Sequence, residues 1–123
     1  MASRVVHFEI PARDPQRANA FYSNVFGWAV HKWRGPEDYW LLTTGPDDEP
    51  GINGAILPQL DPNAAPRVVV RVDSLDEASA RIQNRGGRIV APKMPILAMG
   101  WFAYAEDTEG NLLGLFEPDS EAR

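Results

Sequence analysis

The chain repeats itself at half its length, and that repetition constrains the fold more than any single residue does. In 123 residues, a strand, a capped helix and three further strands occur twice, once on each side of a proline-rich stretch at 58–66. The first copy covers about residues 4–57 and the second about 67–117. One domain of two tandem modules is expected, in the size range that buries a real core.

In the first module, Val5–Ile10 reads as a strand that Pro11 ends. His7 and Glu9 are two positions apart on it, so alternation points both side chains to one face. Asp14 then offers an N-cap oxygen, with Pro15 at the first helical position. Ala18, Phe21, Tyr22, Val25 and Phe26 recur at helical spacing, which predicts that Phe21, Val25 and Phe26 pack inward, and Gly27 suits the C′ position. Strands are expected at 28–34, 39–44 and 52–57, divided by Gly35-Pro36 and by the solvated acidic turn 45–50.

In the second module, Arg67–Val72 reads as a strand, with Arg67 and Arg71 on one face and Val68, Val70 and Val72 packed towards the helices. Ser74 and Glu77 have capping-box spacing for a helix over Leu75–Asn84 that stops near Gly86-Gly87. Strands at 88–90, 100–105 and 111–116 follow, Leu115 of the last being a core residue, and a proline- and methionine-containing loop at 91–99 separates the first two. Before the last strand, Gly110 supplies a positive φ and Asp107 caps the turn.

Composition removes whole classes of function. Twelve basic against seventeen acidic residues give a net charge of −5, the wrong sign for a nucleic-acid groove. Without cysteine there is no thiolate metal site or Cys nucleophile. No apolar run reaches membrane-spanning length and no cationic leader is present, so a cytoplasmic protein without membrane contact is expected. Ser-His-Asp, P-loop and dinucleotide signatures are missing as well.

The ordered pieces His7, Asp14…Phe21-Tyr22…Phe26-Gly27-Trp28, Val72–Ala78, Arg85-Gly-Gly87 and Glu106–Asn111 together resemble the vicinal oxygen chelate superfamily, which includes glyoxalase I, bleomycin-resistance proteins and extradiol dioxygenases. The resemblance implies an α+β fold of two βαβββ modules forming a cupped mixed sheet. It also implies a small-molecule cleft between the modules and a homodimer. Metal-dependent members place one ligand on each of strands one, four, five and eight. His7 matches the first. The others fall at Gly54 or Ala55, Arg67 and Gly114, none of which offers a lone pair to a divalent cation. No cofactor is therefore expected and a metal is disfavoured; His31, on the second strand, is expected to face solvent.

The candidate site is then His7 with Glu9 as an acid/base pair, and Arg67 with Arg71 as a positive centre. His7 could equally be a partly buried histidine bonded to Glu9 or to backbone. Arg67 could take a carboxylate, phosphate or enolate oxygen, or could pair with Glu9. Trp40 and Trp101 are candidate pocket walls, and Met94 to Met99 a flexible flap. Three functions fit: binding of a small apolar or anionic molecule without the usual metal; a glyoxalase-like lyase or isomerase, or a dioxygenase-type enzyme, using His7 and Glu9 with no metal or an atypical one; and a non-catalytic assembly module.

Overall fold

In the computed structural model, which describes residues 2–96 and 98–123, the elements run in the anticipated order. They are β1 (Arg4–Ala12), α1 (Pro15–Phe26), β2 (Ala29–Lys32), β3 (Trp40–Thr43) and β4 (Asn53–Pro58), then β5 (Arg67–Arg71), α2 (Leu75–Asn84), β6 (Arg88–Ile96), β7 (Gly100–Glu106) and β8 (Leu112–Pro118). The class is α+β. Two compact units are distinguished, His7–Pro66 and residues 67–123 together with 2–6, and the division at Pro66 falls at the end of the proline-rich connector.

In the first unit the strands lie in the order β2-β3-β4-β1, with β1 parallel to β4 and the other pairs antiparallel. Asp14 caps α1 as its sequence position predicts, accepting the Arg17 backbone N–H at 3.1 Å. Gly27 ends the helix in the left-handed region at φ 73°. Leu42 and Ile56 are the innermost apolar side chains, 1% and 0% exposed; each such burial stabilises the fold by about 1.5–3 kcal/mol. Phe8, Tyr22, Trp28 and Trp40 close over them.

The second unit orders its strands β5-β8-β7-β6, again with one parallel pair, β5 with β8. Ser74 caps α2 by accepting the Glu77 N–H at 3.2 Å. Val72, Leu75, Ala103, Ala105 and Leu115 form its core. Asp107 accepts the backbone N–H groups of Glu109 and Asn111, and Gly110 takes φ 84°, so the turn before β8 is built as its residues predict. The same hydrogen bonds, the Asn111 N–H foremost, hold the Asp107 carboxyl below its ordinary pKa.

Four expectations are corrected. Strand β1 runs through Pro11 to Ala12, where Pro11 stands opposite Leu57, because the fixed φ of proline is compatible with extended backbone and only its missing N–H is lost to the ladder. Residues 91–96, expected as loop, continue β6 along β7 with register shifts around Ala91 and Met94; Leu97 lies outside the described residues. Strand β6 is the edge of its module's sheet, where Pro92 and Pro95 are tolerated. Phe21, Val25 and Phe26 are 56%, 55% and 60% exposed, while the buried residue of α1 is Asn19. The inward face of α1 is narrow and is filled by Ala18 and Tyr22, leaving the flanking apolar positions outside it. Val68 is likewise 44% exposed, and Val69, at 2%, takes the inner position on β5.

Candidate functional site

The polar centre of the first module is a chain of hydrogen bonds among His7, Tyr39 and Glu9. Both strand residues face the same way, as alternation requires. Tyr39 sits immediately before β3, and its hydroxyl meets both of them. It donates to Oε2 of Glu9 at 2.8 Å and lies 2.8 Å from Nε2 of His7. The imidazole and phenol planes are nearly parallel, 18° apart.

Ladder register explains how a residue 30 positions away reaches Glu9. Glu9 stands beside Ala55 on β4, and Ala55 beside Leu41 on β3. Residues opposite one another share a face, so the only side chain between Glu9 and the β3 row is a methyl group. Tyr39, just before β3, brings its hydroxyl to Glu9 from the neighbouring end of that row. Ala55 is completely buried, as is all but 2% of Glu9.

A buried carboxylate needs donors, and Tyr39 supplies one. Burial lowers the pKa of the His7 imidazole below its ordinary 6.5, with the nearby Glu9 charge pulling the other way. The site therefore holds a neutral imidazole at neutral pH, coupled to a carboxylate through a phenol. Such a unit can accept a proton and have the resulting charge compensated without a rearrangement.

The β2–β3 connection carries the phenol. Trp33 donates its backbone N–H to the Tyr39 carbonyl at 2.8 Å, and its indole meets the phenol ring edge-on, with centroids 6.0 Å apart. Nothing in the local sequence pattern singles out Tyr39; the signal that points to it is the small Ala55 beside Glu9, between β1 and β3. His31, on β2 opposite Leu41, is exposed.

Trp40 lies against the first module's core, with Lys32 over its ring at 5.7 Å. In the second module, the Arg67 guanidinium lies 5.1 Å from the centre of the Tyr104 ring, a cation–π arrangement, and Arg71 ends the same strand half-buried. Trp101 packs against that module's core and donates its indole N–H to Asp119 at 3.0 Å, while Lys93 covers its ring at 5.0 Å. Met94 is on the edge strand β6 and Met99 in the turn before β7, 43% and 57% exposed.

Among the described residues no cluster of three or more His, Asp or Glu has the proximity of a metal site. At the positions where the resemblance puts the remaining ligands, Gly54, Ala55, Arg67 and Gly114 cannot donate to a divalent ion. The residues present do not fit that metal.

The repeated modules and the strand carrying His7 define a class. Residues 4–115 match the model of the Glyoxalase/Bleomycin resistance protein/Dioxygenase superfamily, and the chain belongs to that family. It is 28% identical over 130 residues to a lactoylglutathione lyase of Salmonella typhimurium, covering 98% of this chain and 96% of that protein. It is 29% identical over 111 residues to a glyoxylase-like domain-containing protein of Didymella fabae, with 84% of each covered. Among solved structures, methylmalonyl-CoA epimerase from Mycobacterium tuberculosis superposes with a TM-score of 0.70 at 20% identity, covering 94% of this chain and 87% of that one. A Streptomyces coelicolor methylmalonyl-CoA epimerase in complex with 2-nitronate-propionyl-CoA gives 0.70 at 16% identity, over 100% and 99% of the two chains. Those structural likenesses concern the fold.

Proposed function

We propose that this protein binds a small carbonyl-bearing molecule, apolar or anionic, and moves a proton on it in a lyase or isomerase reaction that does not use the metal of its metal-dependent relatives. The observation that carries the reading is the Tyr39 hydroxyl, 2.8 Å from both His7 Nε2 and Glu9 Oε2. It couples a neutral imidazole to a buried carboxylate, the combination that general acid–base chemistry needs. His7 is the proton-transferring group in this reading and Glu9 the charge that balances it. Arg67 and Arg71 of the second module are proposed as binders of an anionic group, and Trp40, Trp101, Met94 and Met99 as apolar binding residues of their own modules. The names of the relatives, a lyase and an epimerase, support the reaction class.

The test is solvent deuterium incorporation. Incubated in D2O with S-lactoylglutathione or methylmalonyl-CoA, the two thioesters the relatives' names suggest, the protein is expected to exchange a carbon-bound hydrogen, and His7→Gln to abolish the exchange. A second reading, sequestration without turnover, is favoured by four tryptophans in so short a chain. Saturable quenching of tryptophan emission by a compound that shows no exchange selects it.

We also propose a homodimer, supported by the exposed apolar residues Phe21, Val25 and Phe26 of α1. Sedimentation equilibrium giving a single 13.6 kDa species at micromolar concentration overturns this part of the proposal.

A further inference from the structure

The phenol that touches both His7 and Glu9 has one proton, and the direction in which it is donated fixes where the proton on His7 must be. The hydroxyl donates to Glu9 Oε2. Towards His7 the same oxygen can then act only as an acceptor, so the 2.8 Å contact to Nε2 requires a proton on Nε2. In a neutral imidazole, one protonated nitrogen leaves the other with an in-plane lone pair. Among the described residues no hydrogen bond reaches Nδ1 of His7. We infer that His7 is held as the Nε2–H tautomer by Tyr39 and that Nδ1 is the atom that accepts the proton from the bound molecule.

The inference rests on the proton-transfer reading above and specifies its working atom. In the step, a C–H bond next to a carbonyl breaks, its electron pair moves to the carbonyl oxygen as an enolate, and the proton goes to Nδ1. The imidazolium that forms already donates Nε2–H to the Tyr39 oxygen, whose own O–H is donated to the Glu9 carboxylate, so its charge is balanced along a prebuilt chain of hydrogen bonds. Return of the proton from Nδ1 to carbon restores the neutral ring, and neither oxidant nor reductant is consumed. Tyr39 is a positioning residue: it fixes which nitrogen is the base. The arrangement also differs from metal ligation through Nε2, because that nitrogen carries a hydrogen and has no lone pair to give.

The tautomer is directly observable. In protein labelled with 15N in its imidazoles, long-range 1H–15N correlation separates a pyrrole-type from a pyridine-type nitrogen in each ring. The chain has only two histidines, and exposed His31 serves as the internal reference. At neutral pH the expected pattern for His7 is pyrrole-type Nε2 and pyridine-type Nδ1. In Tyr39→Phe the acceptor is gone, and the pyridine-type signal is expected to be shared between both nitrogens. A pyridine-type Nε2 in the wild-type protein overturns the inference, even if deuterium exchange is intact. Absence of exchange overturns the proton-transfer reading while the nitrogen shifts still report the tautomer, so the two failures are distinguishable.

Discussion

The indole of Trp33 lies over Gly35, in the space where any side chain at that position would begin. A Cβ there would overlap the ring, and the ring is also the edge-on neighbour of Tyr39. Gly35 is thus the point at which the β2–β3 connection sets the position of the phenol.

Gly35→Ala should force Trp33 aside and carry Tyr39 with it. Overpacking of this kind costs about 1–3 kcal/mol. The expected result is a lower urea midpoint together with a changed His7 imidazole spectrum and an unchanged His31 spectrum. A variant with wild-type His7 signals would sink the proposed link between the connection and the site.

Stability should fall in mild acid because of His7. Burial lowers its pKa below 6.5 in the native protein, whereas the unfolded chain keeps the ordinary value. Above 6.5 both states are neutral and the group contributes no pH dependence; as pH drops below it, the unfolded state takes up the proton first and unfolding is favoured. Asp107 and Asp119 act in a more acid window, below 3.8, since hydrogen bonds lower their pKa values in the native state. Urea titrations between pH 7.5 and 5 should show the loss in wild type and a flatter profile in His7→Gln. Equal profiles would refute the assignment.

Much of this architecture was legible because its signals are local. Asp14 before Pro15, Ser74 before Glu77 and the turn at Asp107–Gly110 satisfy backbone groups within a few residues, so their geometry follows from spacing alone. The shared face of His7 and Glu9 follows from strand periodicity. What spacing could not supply is anything set between distant segments. Helical periodicity marks Phe21, Val25 and Phe26 as apolar, yet which part of the stripe is covered depends on how Ala18 and Tyr22 seat α1 on its sheet. The prolines of 91–96 suggested a loop because an edge strand and an interior strand look alike until the neighbours are known. Tyr39 was missed for the same reason: its role depends on the registers of two ladders.

Chelation should leave the protein unchanged. His7 has no companions of ligand chemistry at Gly54, Ala55, Arg67 and Gly114, so a divalent ion would have too few protein donors. Thermal unfolding midpoints measured with and without EDTA are expected to coincide, and added Zn2+, Ni2+ or Mn2+ to give no stabilisation. A midpoint that rises in proportion to one equivalent of metal would contradict this, since a ligand bound only by the native state must raise stability by mass action.

Ala55→Leu should separate the network from the fold. The methyl of Ala55 is the side chain between Glu9 and Leu41 in the ladder, and it is fully buried. A larger side chain beside Glu9 on this face is expected to displace the Glu9 carboxylate from the phenol, so that the hydroxyl no longer meets His7 and Glu9 together. Overpacking alone costs about 1–3 kcal/mol, and lengthening the path between Tyr39 and the Glu9 carboxylate adds the loss of a charge-assisted hydrogen bond, about 1.5–3 kcal/mol. Ala55→Ser is the control: it is close to alanine in size and leaves the Glu9 carboxylate in place, so the His7 tautomer should persist in it. The decisive comparison is the nitrogen spectrum of His7 in the two variants, with urea midpoints measured alongside. If Ala55→Leu retains the wild-type tautomer, the phenol does not depend on the small side chain beside Glu9, and the structural account of how Tyr39 reaches Glu9 fails.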